Sequence, residues 1–214
     1  KLSKMAQDLD NPNVRDVHNV KNRWKKWRKG EKANIGQLPK ADRDLILRFL
    51  DDMEKGKHTS VFKGRRSYHR LLALASRVPR IATWFNKHCD KPLTKLTFDD
   101  AHEVFSKVDN GEILTQYGKR YKSYNDYIKD FKGFWHWYMK SEKLDNKRNV
   151  IDITEYLETK AKVLKFHWFK EEGWKLLLEN AKPKYKALIL FMQDAGVRAP
   201  SELFNVRRSD LGRF

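Results

Sequence analysis

A chain of 214 residues is long enough for one or two domains with real cores. Its 46 lysines and arginines outweigh 28 acidic residues, and a net charge of +18 makes nucleic acid the first candidate partner, ahead of an anionic membrane surface. No apolar run approaches the ~20 residues that cross a bilayer, the start KLSKMAQDLDNP does not read as a secretory signal, and a single cysteine, Cys89, excludes an internal disulfide and a cysteine-rich zinc site.

The expected setting is a reducing cytoplasm, and abundant lysine and glutamate with scarce cysteine suits a thermophile. Residues 1–37 are polar and basic. Between Val14 and Lys32, basic residues far outnumber acids, and Trp24 and Trp27 stand three apart. Two readings stand: an arm that lies along DNA with Arg23, Lys25, Lys26 and Arg28 on phosphates, or a solvated helix that docks two tryptophans on the body.

Leu45, Ile46, Phe49, Leu50 and Met53 recur at helical spacing after Pro39, and Gly56 ends that helix. A second helix is expected from Val61 to Arg77, with Tyr68, Leu71, Leu72 and Ala75 on one face. Arg65, Arg66, Arg70 and Arg77 gather on another, the pattern of a groove-binding element with few acids to balance it. Pro79 is expected to break or kink this helix, and His88-Cys89-Asp90 to form a loop too poor in ligands for a metal. Thr97 and Asp100 have the spacing of a capping box, opening a helix that Asn110-Gly111 ends.

From Tyr117 to Lys140, aromatic and aliphatic residues alternate at steps of four and three. Tyr117, Tyr121, Tyr124, Ile128, Phe131, Trp135 and Tyr138 would form one continuous core stripe. The opposite face carries Lys122, Lys129, Lys132 and His136, with Lys119 and Lys140 near the ends, and is suited to tracking a phosphate strand. Four such helices with short connections make a compact bundle, so the class is mainly α. The charged stretch 141–163 then reads as a break, followed by a helical segment from Trp168 that Pro183 ends.

Tyr185–Leu211 reads YKALILFMQDAGVRAPSELFNVRRSDL. Gly196 is placed to close a helix in the left-handed conformation, and Pro200 and Glu202 suit the first turn of the next. Arg198 lies at the joint, where a fixed guanidinium can present a rigid fork to a phosphate. On spacing alone, an arginine there is more often a surface or ion-pair residue.

This stretch resembles the first catalytic-arginine box of the tyrosine recombinases, the phage integrase family, through Asp194, Gly196, Arg198, Ser201-Glu202-Leu203 and Arg208-Ser209-Asp210-Leu211. It departs from the box in placing Ala199-Pro200 between Arg198 and Ser201. Beyond the basic arm at 1–37, the resemblance covers roughly Leu38 to the end and implies a SAM-like four-helix core-binding bundle at 38–142, whose second and fourth helices face DNA. A linker at 143–164, with Lys147 and Arg148 near the backbone, would lead to the first helices of a catalytic domain at 165–214. It also implies a site-specific recombinase of a mobile element, archaeal or viral, that binds double-stranded DNA and assembles as a tetramer on two DNA sites. Arg198 would clamp the scissile phosphate with Glu202 in support, and no metal or cofactor is implied. No tyrosine follows Arg198, so the expectation is an amino-terminal portion that binds DNA without cleaving it. The rival readings are a non-catalytic helical DNA- or RNA-binding protein and a helical protein-interaction module.

Overall fold

The structure is a computed structural model that describes residues 16–30, 35–58, 64–159, 170–196 and 203–206. It is helical, with no strand among the described residues. Among the described residues seven α-helices follow in order: α1 (Val20–Lys29), α2 (Lys40–Lys55), α3 (Tyr68–Cys89), α4 (Phe98–Asn110), α5 (Tyr124–Asp145), α6 (Glu171–Asn180) and α7 (Pro183–Ala195). The chain divides into a unit spanning Asn22–Lys160 and a second comprising Lys1–Lys21 with Ala161–Phe214.

Within the first unit α3 is the central helix, packed against α2, α4 and α5, while α5 also touches α2 and α4. The reason lies in its sequence. Leu71, Leu74, Ala75, Val78, Ile81, Ala82, Trp84 and Phe85 are all buried, so α3 is apolar around most of its middle and must be covered on several sides. Three rings tie the bundle together: Phe85 of α3, Phe105 of α4 and Phe131 of α5 lie with centroids 5.2–6.1 Å apart. Phe49 of α2 packs on Phe134 and Trp137 of α5. Each such side chain removed from water contributes roughly 1.5–3 kcal/mol.

Two buried carboxylates of α2 are matched by donors. Asp42 accepts from the Leu93 backbone N–H at 2.8 Å and from Asn86 at 3.2 Å, and so fixes the turn after α3. Asp52 accepts from Trp137 Nε1 at 2.9 Å and lies 2.8 Å from His58 Nδ1.

The two tryptophans of α1 pack in the manner of the docking helix. Trp24 is buried, stacks on Trp27 at 5.2 Å and donates from Nε1 to Glu54 of α2 at 2.8 Å. Arg28 pairs with Asp51 and lies 3.9 Å from Glu54, so the helix is held by its polar edge as well.

Several boundaries differ from expectation. The second helix of the bundle begins at Tyr68, capped by Ser67, whose Oγ accepts from Arg70 N, and residues 59–63 lie outside those described. It runs unbroken through Pro79 to Cys89, so His88 and Cys89 are helical and only Asp90 leaves the helix, at φ 49°. Pro79 removes one backbone donor, and the buried residues on either side hold the helix together across it.

The capping box is present: Thr97 accepts from Asp100 N and Asp100 accepts from Thr97 N. The long aromatic helix begins at Tyr124 rather than Tyr117, because the chain turns at Thr115–Lys119. Thr115 N donates to Lys119 O at 2.9 Å, and Gly118 supplies the left-handed residue at φ 68°. That helix continues to Asp145. Within the stretch expected to join the two halves, Ile153, Thr154 and Leu157 are buried and Trp135 Nε1 donates to Ile151 O at 2.9 Å.

In the second unit α6 and α7 are joined at Ala181-Lys182, with Pro183 opening α7 rather than merely ending α6. Gly196 follows α7 in the left-handed conformation, as its sequence position requires. Neither helix has a buried residue, although α7 carries the apolar run Ala187 to Met192.

Candidate nucleic-acid interface

The exposed face of α5 is built by the same periodicity that builds its core face. Tyr127, Ile128, Phe131, Phe134, Trp135 and Tyr138 turn inward and are buried. At 3.6 residues per turn the opposite line must then hold Lys129, Lys132, Gly133, His136, Lys140 and Lys143. All are exposed except Lys132, which is half-buried. The acid at the edge of this face, Asp126, pairs with Arg77 of α3 at 3.1 Å. His136 is tied down: its Nε2 lies 3.0 Å from Asp152 Oδ2. Burial pushes the Asp152 carboxyl up, but hydrogen bonds from Thr154 and the His136 contact outweigh it, so Asp152 is held below its ordinary value. Lys119 and Lys122 do not share the helical line, since both precede Tyr124. Lys147 and Arg148 are exposed just after α5, with Lys147 at φ 53° and Arg148 N donating to Glu142 O at 3.1 Å.

Two arginines of the stripe expected to face a groove, Arg70 and Arg77 of α3, also meet an acid of the core. Asp130 of α5 is fully buried, and both Arg70 and Arg77 converge on it. Arg77 Nη1 donates to Oδ2 at 3.1 Å, while Arg70 Nη2 sits 2.5 Å from Oδ1 off the hydrogen-bonding line. A carboxylate cannot stay charged in an apolar core without such compensation. The signal was present in the sequence: Asp130 falls between Ile128 and Phe131 on the core face of α5, where a lone acid demands a cation from a neighbouring helix. Arg65 lies over the Tyr68 ring at 5.4 Å and donates to its hydroxyl at 2.8 Å. Arg66 is half-buried, and burial first and the Arg70 charge second lower its pKa from the ordinary arginine value.

A second basic surface lies where sequence periodicity pointed to helix. The C-terminal half of α3 and the loop 112–123 enclose a groove of about 940 Å³. Arg80, Lys87 and His88 line one side, Lys119, Arg120 and Lys122 the other, and Glu112 is the acid among the lining residues. Its floor is an aromatic cluster. Trp84 is buried, 5.0 Å from both Tyr121 and Tyr127, and Arg80 Nη1 donates to the Tyr127 hydroxyl at 3.2 Å. Tyr117, expected in the core stripe, is instead 78% exposed at the tip of the Thr115–Lys119 turn.

Arg198 and Glu202 lie outside the described residues. Among the described residues no group of three or more His, Cys, Asp or Glu side chains is placed to hold a metal ion, and no helix is long and apolar enough to cross a membrane. Comparison with protein-family models, with curated proteins and with solved structures finds no match to this chain.

Proposed function

We propose that the chain binds double-stranded DNA through the Asn22–Lys160 unit, with the exposed face of α5 laid along the phosphate backbone. The observation that supports it is the composition of that face: Lys129, Lys132, Lys140 and Lys143 project from one side of a helix whose other side is locked into the core. A row of cations on a helix that is already fixed can neutralise successive phosphates.

The bundle is then a SAM-like core-binding domain, and the chain belongs to a tyrosine-type site-specific recombinase. In that reading Arg198 clamps the scissile phosphate, Glu202 supports it, and arginine charge rather than a metal neutralises the phosphoryl oxygens. The support for this finer reading is the Asp194–Leu211 motif together with Gly196, which ends α7 as the motif requires.

The test is a salt titration of duplex binding. Wild type loses affinity linearly in log–log form, and replacing Lys129, Lys132 and Lys140 with alanine flattens the slope by roughly 0.9 per lost phosphate contact. An unchanged slope rejects α5 as the interface. Arg198→Ala leaves overall affinity nearly unchanged but abolishes interference from ethylation at one phosphate. Persistence of every interference position rejects the clamp.

A further inference from the structure

We propose that the groove between α3 and the 112–123 loop is a separate site for single-stranded nucleic acid, with an unpaired base stacked on Tyr117. The site goes beyond duplex binding and stands independently of it.

A tyrosine 78% exposed at the tip of a turn leaves its apolar face in water. The turn itself is closed by Thr115, Gly118 and Lys119 backbone contacts and does not need an aromatic there. Arg80, Lys87, Lys119 and Arg120 surround the same groove. Cations interleaved with an open aromatic are the requirement for holding a flexible strand, the cations following phosphates and the ring taking a base.

The strandedness follows from geometry. Inside a duplex both faces of each base are covered by its neighbours, so away from the ends only an unpaired base offers a face to Tyr117. The groove also has a fixed bottom, since Trp84, Tyr121 and Tyr127 are packed against one another and Arg80 is tied to the Tyr127 hydroxyl. Its volume of about 940 Å³ lies in the range of ligand clefts, about 300–1,000 Å³.

Fluorescence anisotropy with a labelled thymidine dodecamer, a labelled uridine dodecamer and a blunt duplex tests it. Tyr117→Ala is expected to weaken binding of a single-stranded oligomer about fivefold or more, to leave duplex affinity within about twofold, and to be rescued by Tyr117→Phe. Lys87→Ala with Lys119→Ala should flatten the single-strand salt slope by about 0.7 per contact. The tighter of the two oligomers names the nucleic acid. The proposal is overturned if neither oligomer binds, if Tyr117→Ala leaves both affinities unchanged, or if it weakens duplex and single strand equally. The Lys129, Lys132 and Lys140 variant probes the α5 face and Tyr117→Ala probes the groove, so either site can fail without the other.

Discussion

Arg77 of α3 and Asp130 of α5 meet inside the bundle, Nη1 to Oδ2 at 3.1 Å, and the carboxylate is inaccessible to water. Arg70 adds a second charge at 2.5 Å, and Arg77 reaches on to Asp126. The two helices are thus joined by charge as well as by packing. Removing either partner has unequal consequences. Arg77→Ala leaves a buried anion with half its compensation and is expected to cost up to about 3–5 kcal/mol. Asp130→Ala leaves two arginines that are partly exposed and can rehydrate, so it costs less. Urea unfolding of the two variants checks this order, and equal stabilities would mean that the pair is not an inward-facing structural contact.

Gly133 stands in the middle of α5 on its exposed face, and a Cβ added there would meet nothing within 4 Å. No packing among the described residues requires a glycine there. Gly133→Ala should therefore stabilise the fold by up to about 1 kcal/mol through helix propensity alone. Gly133→Glu should keep the fold but weaken duplex binding, because it sets an anion among Lys129, Lys132 and Lys140. Thermal melts and duplex titrations separate the two effects. Unchanged duplex affinity in Gly133→Glu would argue against this face.

The features that could be read in the sequence were those encoded by neighbours along the chain. Gly56 and Gly111 end their helices, and Thr97 with Asp100 begins one, because caps depend only on residues a turn away. Periodicity failed where two spacings coincide. Tyr117, Tyr121 and Tyr124 keep helical intervals across a stretch that is turn and loop, and Tyr121 reaches the core from outside any helix by packing on Trp84. The basic residues were visible as a set, but their partners were not. Arg70 and Arg77 looked like a free stripe until α5 brought Asp130 beneath them, a contact between residues far apart in sequence. The groove around Lys119 and Arg120 was missed for the same reason: its two walls, the end of α3 and the loop after α4, meet only in the fold.

Asp100 links stability to acid. Burial raises its carboxyl pKa, but hydrogen bonds from Lys91 and Thr97 outweigh that, and the net shift is downward. A depressed folded-state pKa contributes stability above the unfolded value of about 3.9 and loses it as pH falls through the folded pKa. The advantage of wild type over Asp100→Asn is therefore expected to be present at pH 7 and to shrink as pH drops below about 4. Urea midpoints of both proteins across that range check the sign. A gap that stays constant down to pH 2 would assign the effect to shape rather than charge.

Two helix-ending glycines should differ in how badly they tolerate alanine. Both are left-handed, Gly56 at φ 76° and Gly111 at φ 82°, so each substitution carries backbone strain of order 1–3 kcal/mol. At Gly56 the new Cβ would also lie 2.9 Å from the Arg65 backbone nitrogen, in a segment held by Arg66 N donating to Met53 O. Backbone must shift there, and Arg65 and Arg66 shift with it. At Gly111 the crowding atoms belong to the Arg120 side chain, 2.5 Å away at Nε, and a flexible side chain can swing clear. Gly56→Ala should then be the more destabilising of the two, and adding Arg120→Ala to Gly111→Ala should recover the steric part of its loss while leaving the strain. Because Arg120 lines the groove, Gly111→Ala should also change single-strand binding, whereas Gly56→Ala should not. Urea unfolding of the three variants, read beside oligomer titrations, checks each step, and a Gly111→Ala loss that Arg120→Ala does not relieve would place Arg120 elsewhere.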